Sequence, residues 1–162
     1  MGKLAIFIDT NLWIFAQKIP DPSTFPKKSE FEKMHKNHKL AKEFLLQKIE
    51  KSTISMTYHQ FCEIYHALGF RGTKLPKDQV RSYCSQLFNG TFMRWYQISL
   101  DHVKKAMTLS NQSGIHIWEY LCVLPLYDDV EALYTCDTHF KDASFQSLGP
   151  SIENPTGEWL VL

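Results

Sequence analysis

Residues 4–8, Leu-Ala-Ile-Phe-Ile, form an apolar run without polar alternation. Such a run suits a strand buried on both faces, as in a parallel sheet sandwiched by helices. It stops at Asp9, and Leu12, Ile14 and Phe15 then fall at helical spacing. In open parallel sheets ligands bind in the crevice at the carboxyl ends of the strands. Asp9 therefore either caps the following helix or does chemistry, and the Asp-Thr-Asn stretch alone does not decide between them.

The pattern continues as helices alternating with strands. A loop with three prolines is expected over residues 18–33. A lysine-rich helix is predicted over residues 31–51, with Ala41, Phe44, Leu45 and Ile49 inward. Residues 52–57 read as a second strand, and Thr57 as the N-cap of a helix with the stripe Phe61, Ile64, Tyr65 and Leu68, ending near Gly69. Val80, Tyr83, Cys84, Leu87 and Phe88 give an amphipathic helix stopped by Asn89-Gly90. Residues 92–100 read as a third strand, after which Asp101 caps a helix through Val103, Ala106 and Met107 to Gly114. Residues 115–126 are apolar nearly all round, as in a buried helix. Residues 131–137 read as a fourth strand ending in Asp137, and residues 151–155 as a short last one. The expected fold class is α/β, a three-layer sandwich on a mostly parallel sheet of four to five strands.

Composition narrows this picture. A chain of 162 residues fits one domain, 1–162, able to bury a substantial core. A net charge of +1 announces no nucleic-acid binder, and no apolar stretch reaches membrane-span length. Asp9 interrupts an amino-terminal run already too short for a signal peptide. Cys62, Cys84, Cys122 and Cys136 lack close-paired metal spacing, so they read as reduced, mostly buried thiols of a cytoplasmic protein.

The carboxylates carry the chemistry. Two strands ending in Asp9 and Asp137 deliver acids to the same sheet edge. Glu63 lies opposite its helix's apolar stripe and by helical geometry alone is an ordinary solvated residue. Glu119 sits among Ile117, Trp118, Leu121, Cys122, Val123 and Leu124, where a carboxylate is costly unless paired. No Lys or Arg lies between Lys105 and Lys141, so a cation must come from elsewhere, and a metal ion is the economical candidate.

Taken together, "IFIDTNLWIFA", "TYHQFCEIYHAL", "GIHIWEYLCVL" and "LYTCDTHF" resemble, in order and over nearly the whole chain, the motifs of the PIN-domain nucleases. The resemblance implies a PIN-like sandwich whose acidic cluster is Asp9, Glu63, Glu119 and Asp137, with Thr10 and Asn11 beside the first acid and Thr57 as the polar cap six positions before Glu63. It further implies Mg²⁺ or Mn²⁺ held by that cluster and cleavage of RNA. Four like charges stay ionised together only around a cation, and oxygen-only ligands suit these ions rather than zinc. A stand-alone chain of this length resembles the toxin of a VapC-type toxin–antitoxin pair, which implies an antitoxin partner and a homodimer. The alternative is a PIN fold kept as an RNA- or protein-binding module with weak or lost catalysis. Three departures leave room for it: Glu119 in place of the usual aspartate, His139 where an acid or amide is common, and Pro125 in a helix usually continuous.

Other readings fare worse. His35 and His38 share a helix face without ligand partners in a lysine-rich surface segment, which argues against zinc there, although "HQFCEIYH" at His59 and His66 raises the same question. His139, two residues from Asp137, reads first as structural and second as a phosphate or leaving-group contact. A haloacid-dehalogenase-type phosphatase would want a second aspartate where Asn11 stands. Residues 27–51 hold eight lysines against four acids, either a solvated helix face or a phosphate-tracking surface. Arg71, Lys74, Lys77 and Arg81 could extend that surface, and Arg94, Trp95 and Tyr96 offer stacking groups that read first as packing residues.

Overall fold

Ile6 and Ile8 pack on one face of the central strand and Phe7 on the other, all fully enclosed. This double burial is what the unbroken apolar run requires. In the computed structural model, which describes residues 2–162, that strand is β1 (Ala5–Ile8), and Leu4 lies outside it, exposed. The chain continues through α1 (Thr10–Gln17), α2 (Lys28–Lys51), β2 (Thr53–Thr57), α3 (Tyr58–Phe70), α4 (Lys77–Asn89) and β3 (Met93–Tyr96). It then forms α5 (Leu100–Ser113), α6 (Ile117–Val123), β4 (Ala132–Tyr134), α7 (Ala143–Gln146) and β5 (Ser151–Glu153).

All five strands are parallel, in the order β3-β2-β1-β4-β5. The chain builds outward from β1 to β2 and β3, then returns to place β4 on the other side of β1. The order thus reverses between β1 and β4, and the carboxyl ends of those two strands open the crevice where α/β sheets bind ligands. One core layer joins Ile6, Ile8, Ile54 and Met56 to Trp13, Leu45, Ile64 and Leu68 of α1, α2 and α3. The other joins Phe7 and Leu133 to Tyr120, Val123, Phe140 and Phe145. No helix among the described residues is long and apolar enough to cross a membrane.

Local chemistry moves several boundaries. The predicted loop gives way at Lys28, just beyond Pro26, where α2 begins. His38 is buried on α2, its Nδ1 2.7 Å from the Phe15 carbonyl, so it is a core residue and not part of a surface segment. β3 and β4 are shorter than the predicted strands, spanning Met93–Tyr96 and Ala132–Tyr134. The cap of α5 is Ser99, not Asp101: the Ser99 hydroxyl accepts from the His102 amide while His102 Nδ1 accepts from the Ser99 amide. Only Ala106 of the expected α5 stripe is buried, and Val103 and Met107 are exposed. On α6, Trp118 is likewise exposed, and the helix ends before Pro125. Trp95 packs on Tyr58, Phe61 and Phe88, and Tyr96 donates to Asp129, so both are tied into the fold.

The Ser99 cap gives a simple stability test. Ser99→Ala should cost about 1 kcal/mol, a fall of about 2–4 °C in a thermal melt of a domain this size. Asp101→Ala should cost less, and equal losses would show that the serine hydroxyl is not the cap.

Candidate active site

β1 ends directly in Asp9, which serves as the N-cap of α1, with Oδ1 accepting from the Thr10 amide at 2.8 Å. Its other oxygen, Oδ2, accepts from the Thr135 hydroxyl at 2.8 Å. Thr135 follows β4, and its Oγ1 also accepts the Asp137 amide at 3.0 Å. One hydroxyl therefore ties together the two acids at the reversal point of the sheet. Asp137 in turn caps the 3-10 turn Thr138–Lys141, with Oδ1 accepting from the His139 amide at 2.9 Å. The C-terminal segment pairs here too, Leu160 bridging to Asp137.

The glutamates arrive from two helices. Glu119 lies in the first turn of α6 and Glu63 in the middle of α3. Asp9, Glu63, Glu119 and Asp137 all line one cleft of about 290 Å³, with Thr10, Asn11, Arg71, His116 and Trp118 also on its walls. Thr57 stays out of it: it is buried, and its hydroxyl caps α3 by accepting from the Gln60 amide at 3.1 Å.

Glu63 overturns the helical-wheel reading. The residues of α3 that are buried are Gln60, Ile64, Ala67 and Leu68, while Tyr65 is exposed. Gln60 is polar yet fully enclosed, its Nε2 donating to the Ile8 carbonyl at 2.7 Å. The inward face thus runs through residues 60 and 67, and Glu63, half-buried, flanks it. Its Oε2 accepts from the Thr10 hydroxyl at 3.3 Å, with Cys122 Sγ 3.5 Å away.

Electrostatics follow from this crowding. Burial pushes the Asp9 carboxyl up from 3.8 to about 7, the Thr135 hydrogen bond works against the rise, and the charges of Asp137 and Glu119 add to it. Burial also raises Glu119, which the imidazole of His139 partly offsets. His139 Nδ1 stands 3.4 Å from Asp137 Oδ1 and 3.5 Å from Glu119 Oε1. Both Glu119 Oε2 and His139 Nδ1 are buried without a hydrogen-bond partner. His139, read first as structural from sequence, thus stands against two of the acids that line the cleft. Glu119, Asp137 and His139 offer ligand atoms close enough to share one ion. Buried carboxylates that repel one another, with orphaned donor atoms between them, fit a divalent cation.

Sequence reasoning missed Thr135, met His59 only as part of a zinc question and read Cys122 only as a buried thiol. Thr135 carries no motif of its own, and only the two-residue spacing to Asp137 hints at it. His59 and Glu63 share a helix face at i, i+4, a spacing visible in the sequence.

This sheet order and cleft define the fold as PIN-like. A chain of VapBC2 from Rickettsia felis, bound to a DNA fragment from its promoter, superposes with a TM-score of 0.58 over 93% of this chain and 98% of its own, at 16% identity. A chain of FitAB bound to an IR36 DNA fragment gives 0.53 over 93% and 95%, at 13% identity. Likeness at such identity is likeness of fold. No protein-family model matches the sequence, and no curated protein is detectably similar to it.

Proposed function

We propose that the protein is a Mg²⁺- or Mn²⁺-dependent endoribonuclease. The observation that carries this reading is the convergence of Asp9, Glu63, Glu119 and Asp137, from four separate elements, on one cleft at the sheet's reversal point. Asp137, Glu119 and Asp9 would hold the ion, with Glu63 across the cleft. When bound, such an ion supplies Lewis acidity toward a phosphate and lowers the pKa of a bound water.

The chain's own groups account for the rest. The Thr135 hydroxyl and the Thr10 amide fix the Asp9 carboxylate, so little reorganisation is needed at the moment of reaction. Arg71, exposed on the cleft wall, offers a cation to a phosphate. Trp118 is 54% exposed beside it and offers a face for an unpaired base. His139 can hold a proton at Nδ1, within reach of a leaving oxygen bound against Glu119 and Asp137.

Incubation with mixed RNAs tests the reading. Cleavage should appear with Mn²⁺, vanish with chelator and return on adding the ion. RNA binding without cleavage in Mn²⁺ would favour the binding-module alternative. Thr135→Val leaves Asp9 Oδ2 without its donor, so the Asp9 carboxyl should rise further. Cleavage, which needs this acid ionised, should then set in at higher pH. Stability should fall by about 1–3 kcal/mol, as for a buried acceptor left unsatisfied. A pH–rate profile and a melt check both, and an unmoved profile would remove Thr135 from the site.

The toxin reading adds an antitoxin partner, supported by the VapBC2 and FitAB assemblies and by a largely apolar groove of about 490 Å³ between α1, α2 and α4. Trp13, Leu45, Leu46, Ile49, Leu87 and Phe92 line it, a surface suited to an amphipathic helix. The exposed Leu100, Val103 and Met107 of α5 support a homodimer. Four free cysteines accord with a cytoplasmic setting.

A further inference from the structure

Beside the oxygen donors, the same cleft carries a chemically different set of ligands. His59 and Glu63 project from one face of α3 at i, i+4, and Cys122 comes from α6 opposite. His59 Nε2 lies 3.5 Å from Glu63 Oε1, and Cys122 Sγ lies 3.5 Å from Glu63 Oε2. One ligand atom from each of the three falls within 4.8 Å of the others. Donors bound tetrahedrally to one zinc ion at about 2.0–2.3 Å stand roughly 3.5 Å apart, so the set needs only a small contraction to close on an ion.

A second observation also points to a ligand. His59 Nε2 is fully enclosed and makes no hydrogen bond, although a buried ring nitrogen ordinarily finds a partner. Glu63 lies beside it, yet the pair is too long for a hydrogen bond. Neighbouring residues hold two of the donors. The His59 ring stacks on Trp118 at 5.4 Å and 17°, and the Thr10 hydroxyl holds Glu63 Oε2 at 3.3 Å. Glu63 and Cys122 line the cleft, which gives an ion its way in.

The geometry points to a second, thiophilic metal subsite formed by His59, Glu63 and Cys122, taking Zn²⁺ and distinct from the oxygen-ligand centre at Asp9 and Asp137. An imidazole, a thiolate and a carboxylate make a mixed donor set that selects zinc over magnesium and manganese. Zinc there bridges α3 to α6 across the floor of the cleft. Because Glu63 is shared, the subsite rests on the proposed acidic centre for its position, but its occupancy does not depend on RNA cleavage.

Cobalt(II) is a spectroscopic stand-in for zinc, since its bond to a thiolate gives a charge-transfer absorption that oxygen and nitrogen ligands do not. One equivalent of Co²⁺ added to the reduced, chelator-treated full chain should give this band, and Zn²⁺ should displace it. Cys122→Ser should abolish the band. His59→Gln, at a half-buried position that leaves the thiol in place, should weaken Co²⁺ binding by at least about tenfold. Cys62→Ser, which removes the exposed thiol, and Asp137→Asn should keep the band at wild-type affinity. The subsite is overturned by absence of the band in the wild type or by its survival in Cys122→Ser. Wild-type affinity in His59→Gln, or loss of the band in Asp137→Asn, overturns it equally. No RNA enters the experiment, so failure of the nuclease reading and failure of the subsite are separate results.

Discussion

Asp9→Asn should abolish RNA cleavage and at the same time raise the melting temperature of the metal-free protein at pH 8. The exchange keeps the size of the side chain and an acceptor for the Thr10 amide, while removing the charge that holds a cation. The stability gain follows from proton linkage. The carboxyl titrates near 7 in the folded protein and near 3.8 in the unfolded chain, so between those values the folded protein holds a proton that the unfolded chain has released. Stability of the metal-free wild type therefore falls as pH rises through that window and stays low above it. The difference amounts to on the order of a few kcal/mol, since a tenfold change in acidity corresponds to about 1.4 kcal/mol. Asn escapes this loss, so its advantage should be several degrees at pH 8, at about 2–4 °C per kcal/mol, and should shrink as pH is lowered toward 4. Melts of both proteins across this range decide the matter. An Asn variant less stable than wild type at pH 8 would mean that Asp9 has a cationic partner within the protein, and the acidic centre would be wrong.

Mn²⁺ should raise the melting temperature of the wild type by about 5–10 °C at a concentration a hundred times its dissociation constant, since binding there is worth about 2.7 kcal/mol. The ion acts by offsetting the mutual repulsion of the buried carboxylates, so the gain should be largest above pH 7, where Asp9 gives up its proton without competition. Chelator should reverse it fully. In Asp9→Asn/Asp137→Asn the shift should vanish, whereas an unchanged shift would place the ion elsewhere. Glu119→Gln should show a smaller Mn²⁺ shift and a more stable metal-free form, because burial already opposes its charge.

Much of the fold was legible because burial on both faces leaves a plain mark. The run at residues 4–8 demanded a doubly covered strand, and β1 is that strand at the centre of a five-stranded parallel sheet. Asp9 and Asp137 could be placed on one edge because parallel strands all end on the same side of their sheet. Where a polar side chain is buried, the pattern misled. Gln60 and His38 are both enclosed and tied to backbone carbonyls, of Ile8 and Phe15, and no periodicity of apolar residues marks such positions.

The sequence by itself determined the class of sheet, the alternation of helices and strands and the two aspartates at strand ends, since these depend on local periodicity and on chain direction. Only the tertiary structure decided which way α3 turns, and with it whether Glu63 meets water or the cleft. It alone set the Thr135 hydroxyl between Asp9 and Asp137, His139 between Asp137 and Glu119, and His59 opposite Cys122. Of these, the Asp9–Thr135, Glu119–His139 and His59–Cys122 approaches join residues far apart in the chain, fixed by packing helices and strand ends together, and spacing along a sequence holds no record of them.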